Sequence, residues 1–263
     1  MKNHFIHKST ISAHHGYIDC ENELGPTITL LNKHPEINMI EIDFVYINEK
    51  FISSHDYDDD SISRGTEMSI WFDNFIKLGI IIWIDIKESN WSILSDKFSK
   101  FDVNKFYLQL ELQRKKFLQQ NIILENQILI SCQYDNIKEK LFILNNNNTY
   151  LLAHDLPLVD SYIAQTVAPS FFDEKINYMV QESMQDFINY STTNLYIVCL
   201  DITFFNSIDD LIAFINKINV SIVILYSMEI SDSILISGSD KQFIYQYNYY
   251  SHQFIQKLEE TTK

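Results

Sequence analysis

Met39-Ile40-Glu41-Ile42-Asp43-Phe44-Val45-Tyr46-Ile47 and Ile80-Ile81-Ile82-Trp83-Ile84-Asp85-Ile86-Lys87 are the two stretches that decide the fold. Both are rich in β-branched and aromatic residues and read as strands. Alternation along a strand then sets Glu41 with Asp43, and Asp85 with Lys87, on a shared face. Ile40, Ile42 and Phe44 make the first strand apolar on its other face. In isolation a Glu-x-Asp strand is most often a solvated face. A barrel interior tolerates two acids only when they are paired or metal-bound.

Outward from these two, further apolar strand-like runs lie at residues 5–13, 128–133, 149–154, 162–167, 195–202 and 220–228, eight in all. Helical patterns fall between most of them, at 69–78, 104–120, 136–144, 174–190 and 207–218, with Pro26-Thr27 opening another over 27–33. Eight alternating units predict an α/β fold, the (β/α)8 TIM barrel, which commonly fills about 250 residues as one unit. The expected organisation is a single domain over residues 1–263, irregular in its sixth unit, where residues 162–167 are short and Pro169 follows them. Residues 231–263 read as a C-terminal appendage, a hairpin and a helix.

Composition bounds the function classes. An apolar content of 46% with 18 Phe and 15 Tyr supports a large core, and 5 Gly with 4 Pro leave no evident linker. The net charge of −15 argues against nucleic acid or an anionic membrane surface as the main partner, since both need a cationic footprint. Cys20, Cys132 and Cys199 form no Cys-x-x-Cys spacing, which disfavours a zinc or redox pair and points to a reducing compartment. No apolar run is long enough to span a bilayer, and the first ten residues lack a signal-peptide core, so an intracellular soluble protein without a transmembrane segment is expected.

Short polar words end several apolar runs: Ala13-His14-His15-Gly16, Glu41-Ile42-Asp43, His55-Asp56 and Asp85-Ile86-Lys87. In a barrel of this class the active site forms at the C-terminal ends of the strands, and each word falls at or just inside such an end. Clustered carboxylates raise one another's pKa unless a hard cation or a cationic side chain compensates them. An oxygen-only donor set favours Mg²⁺ or Ca²⁺. Two histidines beside it supply an acid and a base that both work near neutral pH, and a lysine answers a phosphate charge.

In this order the words resemble the glycerophosphodiester phosphodiesterase family, whose pattern runs His-Arg-Gly, Glu-Asn-Thr, Glu-x-Asp, His-Asp and Glu-x-Lys. The matching stretches are His14-His15-Gly16, Glu21-Asn22, Glu41-Ile42-Asp43, His55-Asp56 and Asp85-Ile86-Lys87, within about residues 5–90, with a weaker echo at 195–228. The resemblance implies a phospholipase-C-like barrel. It assigns one divalent cation, Mg²⁺ or Ca²⁺, to Glu41, Asp43 and Asp85, and reciprocal acid and base roles to His14 and His55. Lys87, His15 and Asp56 would contact the substrate, with Glu21 a further candidate. The implied reaction is metal-dependent cleavage of a glycerophosphodiester or lysophospholipid-type head group. Either water attacks, or a neighbouring substrate hydroxyl attacks and leaves a cyclic phosphate.

Three residues depart from the family pattern. His15 stands where the family has a phosphate-binding arginine, and Glu23 stands at the threonine of Glu-Asn-Thr. Asp85 replaces the third metal-binding glutamate, a shorter arm that resembles the related spider-venom sphingomyelinase D group. His15 and Glu23 favour the alternative, a catalytically degenerate barrel kept for binding or structure. Three other features take plainer readings: His154-Asp155 as structural or pocket-lining, the aromatic run Tyr245–Tyr250 as the packed face of an edge strand, and Asp58-Asp59-Asp60 as a solvated loop.

Overall fold

A computed structural model of the protein describes residues 9–13, 23–35, 37–55, 59–87, 101–132, 135–145, 149–155, 197–201, 212–213, 215–216, 222–228 and 242–247. In chain order the elements are β1 (Ser9–Ala13), α1 (Leu24–Lys33), β2 (Met39–Ile47), β3 (Lys50–Ser53), α2 (Asp59–Arg64) and α3 (Met68–Phe75). There follow β4 (Ile81–Ile86), α4 (Val103–Leu118), β5 (Ile128–Cys132), α5 (Asp135–Leu144), β6 (Leu151–Leu152), β7 (His154–Asp155), β8 (Ile197–Asp201), β9 (Ile222–Met228) and β10 (Gln242–Tyr247).

The strands form a ring. β1 pairs in parallel with β2, β2 with β4, β4 with β5 and β5 with β6; β7 pairs with β8, β8 with β9, β9 with β10, and β10 returns to β1. β6 and β7 are halves of one strand parted at Ala153, whose N–H donates to the Ile130 carbonyl at 2.7 Å. Eight parallel staves in chain order therefore close into a (β/α)8 barrel, the architecture expected from the sequence. β3 stands outside the ring, antiparallel to the end of β2.

One stave corrects the sequence reading. Gln242–Tyr247 closes the barrel between β9 and β1, in parallel register from Ser9 opposite Phe243 to Ala13 opposite Tyr247, so the appendage expected at 231–263 contains an integral strand. Its alternating Gln-Phe-Ile-Tyr-Gln-Tyr reads as a half-solvated edge. Only the ring shows that both of its edges are paired. The expected sixth strand at 162–167 and the helix at 174–190 lie outside the described residues.

Helix boundaries shift by about a turn for local reasons. α1 begins at Leu24 rather than at Thr27, because proline in a first helical turn gives up only an N–H that has no intrahelical partner. Asp59 and Asp60 fall within α2 instead of in a loop. α4 is capped by Asp102, whose carboxylate accepts the Lys105 N–H at 3.0 Å.

Strand alternation divides the core into two layers. Met39, Ile81, Trp83, Leu129, Ala153 and Ile224 form an apolar plug. Ile40, Ile42, Phe44, Ile82, Ile84 and Ile86 join a separate and larger cluster with Trp71, Phe72 and Phe75 of α3 and Phe106, Leu110 and Phe117 of α4. β2 and β4 are thus buried on both faces, and every residue of each is buried.

Candidate metal centre at the barrel mouth

Above the plug β2 and β4 place their acids side by side. Parallel register sets Asp43 directly opposite Asp85, and Asp85 opposite Ser131 of β5. Glu41, two residues before Asp43, shares its face. One carboxylate oxygen from each of Glu41, Asp43 and Asp85 lies within 4.8 Å of the others. Oxygen ligands at 2.3–2.6 Å from a hard cation stand at most about 5 Å apart across it, so the three fit a common ion.

Burial sharpens the argument. Glu41, Asp43 and Asp85 are 5%, 0% and 4% exposed. Three ionised carboxylates in a dry interior are tolerable only with positive charge among them. Lys87 supplies part of it. Its Nζ lies 2.5 Å from Asp85 Oδ2 and 3.3 Å from Asp43 Oδ1. Burial acts to lower the Lys87 pKa, but Asp43, Asp85 and Glu41 outweigh it and hold the ammonium charged well above the usual lysine range. Three carboxylates against one ammonium leave a formal balance of minus two, which one divalent cation would neutralise.

The backbone explains how these groups meet. Beyond the ring β2 is flanked on both edges: the Phe44 carbonyl accepts the Lys87 N–H, and the Asp43 carbonyl accepts the Ser54 N–H, each at 3.0 Å. The first bond carries Lys87 to the acids past the end of β4. The second ties the exit of β3 to the same place, so His55, half-buried, follows one residue after a backbone bond to Asp43. At β1 the described chain ends at Ala13, opposite Ile40 and one residue below the level of Glu41. His14, His15, Glu21 and Asp56 lie outside the described residues. His154 and Asp155 form the β7 ladder with Val198 and Cys199. Glu23, which stands at the family's threonine position, pairs with Arg64 of α2 at 3.2 Å.

Two residues of this site escaped the sequence reading. Trp83 Nε1–H donates to Ser131 Oγ at 2.7 Å, and Ser131 Oγ–H donates to Asp85 Oδ1 at 2.7 Å. A hydroxyl in the otherwise apolar Ile-Leu-Ile-Ser-Cys run, at the C-terminal end of a buried strand, was the available signal.

Solved structures share this architecture. A glycerophosphodiester phosphodiesterase from Thermotoga maritima superposes with a TM-score of 0.55 at 12% identity, over 95% of this chain and 99% of its own. One from Parabacteroides distasonis gives 0.55 at 10% identity, over 97% and 98%. A phosphodiesterase from Oleispira antarctica, solved in complex with the product sn-glycerol-3-phosphate, gives 0.54 at 12% identity, over 95% and 96%. The fold is that of the glycerophosphodiester phosphodiesterases. No protein-family profile matches the sequence, and no curated protein matches it. On this barrel the acids of β2 and β4 stand at the C-terminal strand ends, where (β/α)8 barrels build their active sites. Among the described residues no helix is long and apolar enough to cross a membrane.

Proposed function

We propose that the protein is a metal-dependent phosphodiesterase acting on a glycerophosphodiester or a lysophospholipid-type head group. The observation that carries this reading is the buried Glu41–Asp43–Asp85 cluster with Lys87 among it, at the C-terminal mouth of a barrel with this fold. Glu41, Asp43 and Asp85 would hold one divalent cation, Mg²⁺ or Ca²⁺. A cation there supplies Lewis-acid polarisation of a phosphoryl oxygen. The glycerol phosphate bound by the Oleispira phosphodiesterase supports a substrate of this class.

The chain's own groups do the rest. With its ammonium held charged, Lys87 neutralises a second phosphoryl oxygen as negative charge builds in the transition state. His55, carried beside Asp43 by the end of β3, exchanges a proton with one of the two oxygens in line at phosphorus, and His14 serves the other. His15 and Asp56 complete the contacts to the head group. If water attacks, the product is a phosphomonoester; if a neighbouring substrate hydroxyl attacks, it is a cyclic phosphate.

Turnover of bis(p-nitrophenyl) phosphate, glycerophosphocholine and lysophosphatidylcholine, with Mg²⁺, Ca²⁺ or EDTA, tests the proposal. Wild type is expected to turn over at least one of them only with metal, with losses of at least about 10²-fold in His14→Ala and Asp43→Asn. Phosphorus NMR of the product separates hydrolase from lyase. A folded wild type that neither turns over nor binds either cation would overturn the reading in favour of a degenerate barrel.

A further inference from the structure

The hydrogen-bonded chain from Trp83 through Ser131 to Asp85 spans three adjacent positions on two neighbouring staves. Trp83 and Ser131 are buried, as is Asp85. A serine hydroxyl has one proton to give, and Ser131 gives it to Asp85 Oδ1. Trp83 Nε1–H, a donor only, occupies the acceptor side of the same oxygen, which turns the hydroxyl proton away from the indole and toward Asp85. Asp85 Oδ2 is engaged separately by Lys87. Each oxygen of this carboxylate is therefore held by a different donor, and its plane cannot rotate without breaking one of the two bonds.

We infer that Ser131 is a positioning residue for the cation site, fixing the orientation of the Asp85 carboxylate, and that Trp83 fixes Ser131 in turn. The inference rests on the reading of Glu41, Asp43 and Asp85 as cation ligands. Asp85 has a short side chain on a rigid strand, so the direction of its lone pairs is set almost wholly by χ2, a broad torsion without strong preferences of its own. A hydrogen bond to one oxygen supplies the missing preference. It also leaves that oxygen a lone pair for an ion, because a carboxylate oxygen accepts more than one partner. Partners of this kind, which touch a ligand rather than the ion, are worth about 10–100-fold in metal affinity.

Calorimetric titration of the metal-stripped full chain with CaCl₂ and with MgCl₂ tests the inference without reference to turnover. Ser131→Ala is expected to weaken cation binding by about 10–100-fold, whereas Ser131→Thr, which keeps the hydroxyl, stays within about 3-fold of wild type. Trp83→Phe keeps an aromatic side chain and the Ser131 donor, removes the indole N–H and so releases the hydroxyl to rotate, and falls between them. Ser131→Ala alone leaves the indole N–H without a partner. The double variant Trp83→Phe/Ser131→Ala removes that penalty and is expected to bind as weakly as Ser131→Ala. Wild-type affinity in a folded Ser131→Ala or double variant would overturn the positioning role while leaving the cation site intact. A wild type that binds neither ion would overturn the site itself, and the positioning role with it.

Discussion

Lys87 and the three acids around it must satisfy each other before any ion arrives. The Lys87 side chain is 19% exposed and its ammonium touches two carboxylates, so it is the counter-ion that lets this acidic layer fold. Replacing Lys87 with Met keeps the length of the stem and removes the charge. The metal-free variant is expected to lose about 3–5 kcal/mol, the cost of a buried pair broken from one side. Saturating Ca²⁺ should recover most of that loss, because an ion bound only by the folded state stabilises it by mass action. Thermal denaturation with and without Ca²⁺ measures both effects; equal destabilisation in the two conditions would contradict the shared site. The sign with pH follows from the raised Lys87 pKa. Its contribution is fully present below the ordinary lysine value and is lost only as pH rises above it. At this scale the sequence was largely legible, since charge on a period-2 strand is visible in the letters. Ser131 was not, because a lone hydroxyl in a buried run has many local partners and only the neighbouring stave names the one it uses.

Among the elements, the β2–β3 hairpin decides where His55 stands. Its tip turns through Asn48 and Glu49 with φ of 48° and 64°, left-handed values that cost a non-glycine residue energy. Compensation comes from packing. Phe51 lies 4.8 Å from the Tyr46 ring, 5.3 Å from Phe101 and 5.4 Å from Phe106 of α4, while Lys50 pairs with Glu67 and Lys105 with Glu49. Behind the hairpin, Gly65 leaves no room for a side chain. A Cβ there would run into the Ser53 carbonyl oxygen and Ile52 Cγ2. Gly65→Ala is therefore expected to push β3 away from α2 and displace His55. Cation affinity should stay within about 3-fold of wild type, because the ligands sit on β2 and β4, while kcat falls by about 10–100-fold. Titration calorimetry and steady-state kinetics together check this, and an equal loss in both would place β3 among the supports of the ion. The letters showed β2, the first strand of this hairpin, but neither β3 nor Gly65, whose clash arises between segments that only the fold brings together.

For the molecule as a whole, closure is the governing constraint. β1 is held on one side by β2 through two register pairs and on the other by β10 through five. Removing residues 231–263 would expose an edge on β1 and another on β9, and would open the barrel beside β1, the stave that leads to His14. A chain ending at Ile230 is expected to show no cooperative thermal transition by circular dichroism. A native-like melt would mean that the ring tolerates a missing stave. The sequence reading reached eight strands, yet it set Gln242–Tyr247 aside as part of an appendage. A short alternating run looks the same in an edge, an appendage or the last stave of a barrel.

Composition and periodicity determined the alternating α/β class, the strands that carry the acids, and the grouping of Glu41 with Asp43 and of Asp85 with Lys87, because these depend on neighbours along one chain segment. Tertiary structure alone decided that the three acids meet within 4.8 Å, that Lys87 reaches both aspartates, that Trp83 and Ser131 hold Asp85, and that β10 closes the ring. Each of those facts is a register between strands distant in sequence. Register is set by the simultaneous burial of many side chains across the barrel, a condition that no single stretch of letters contains.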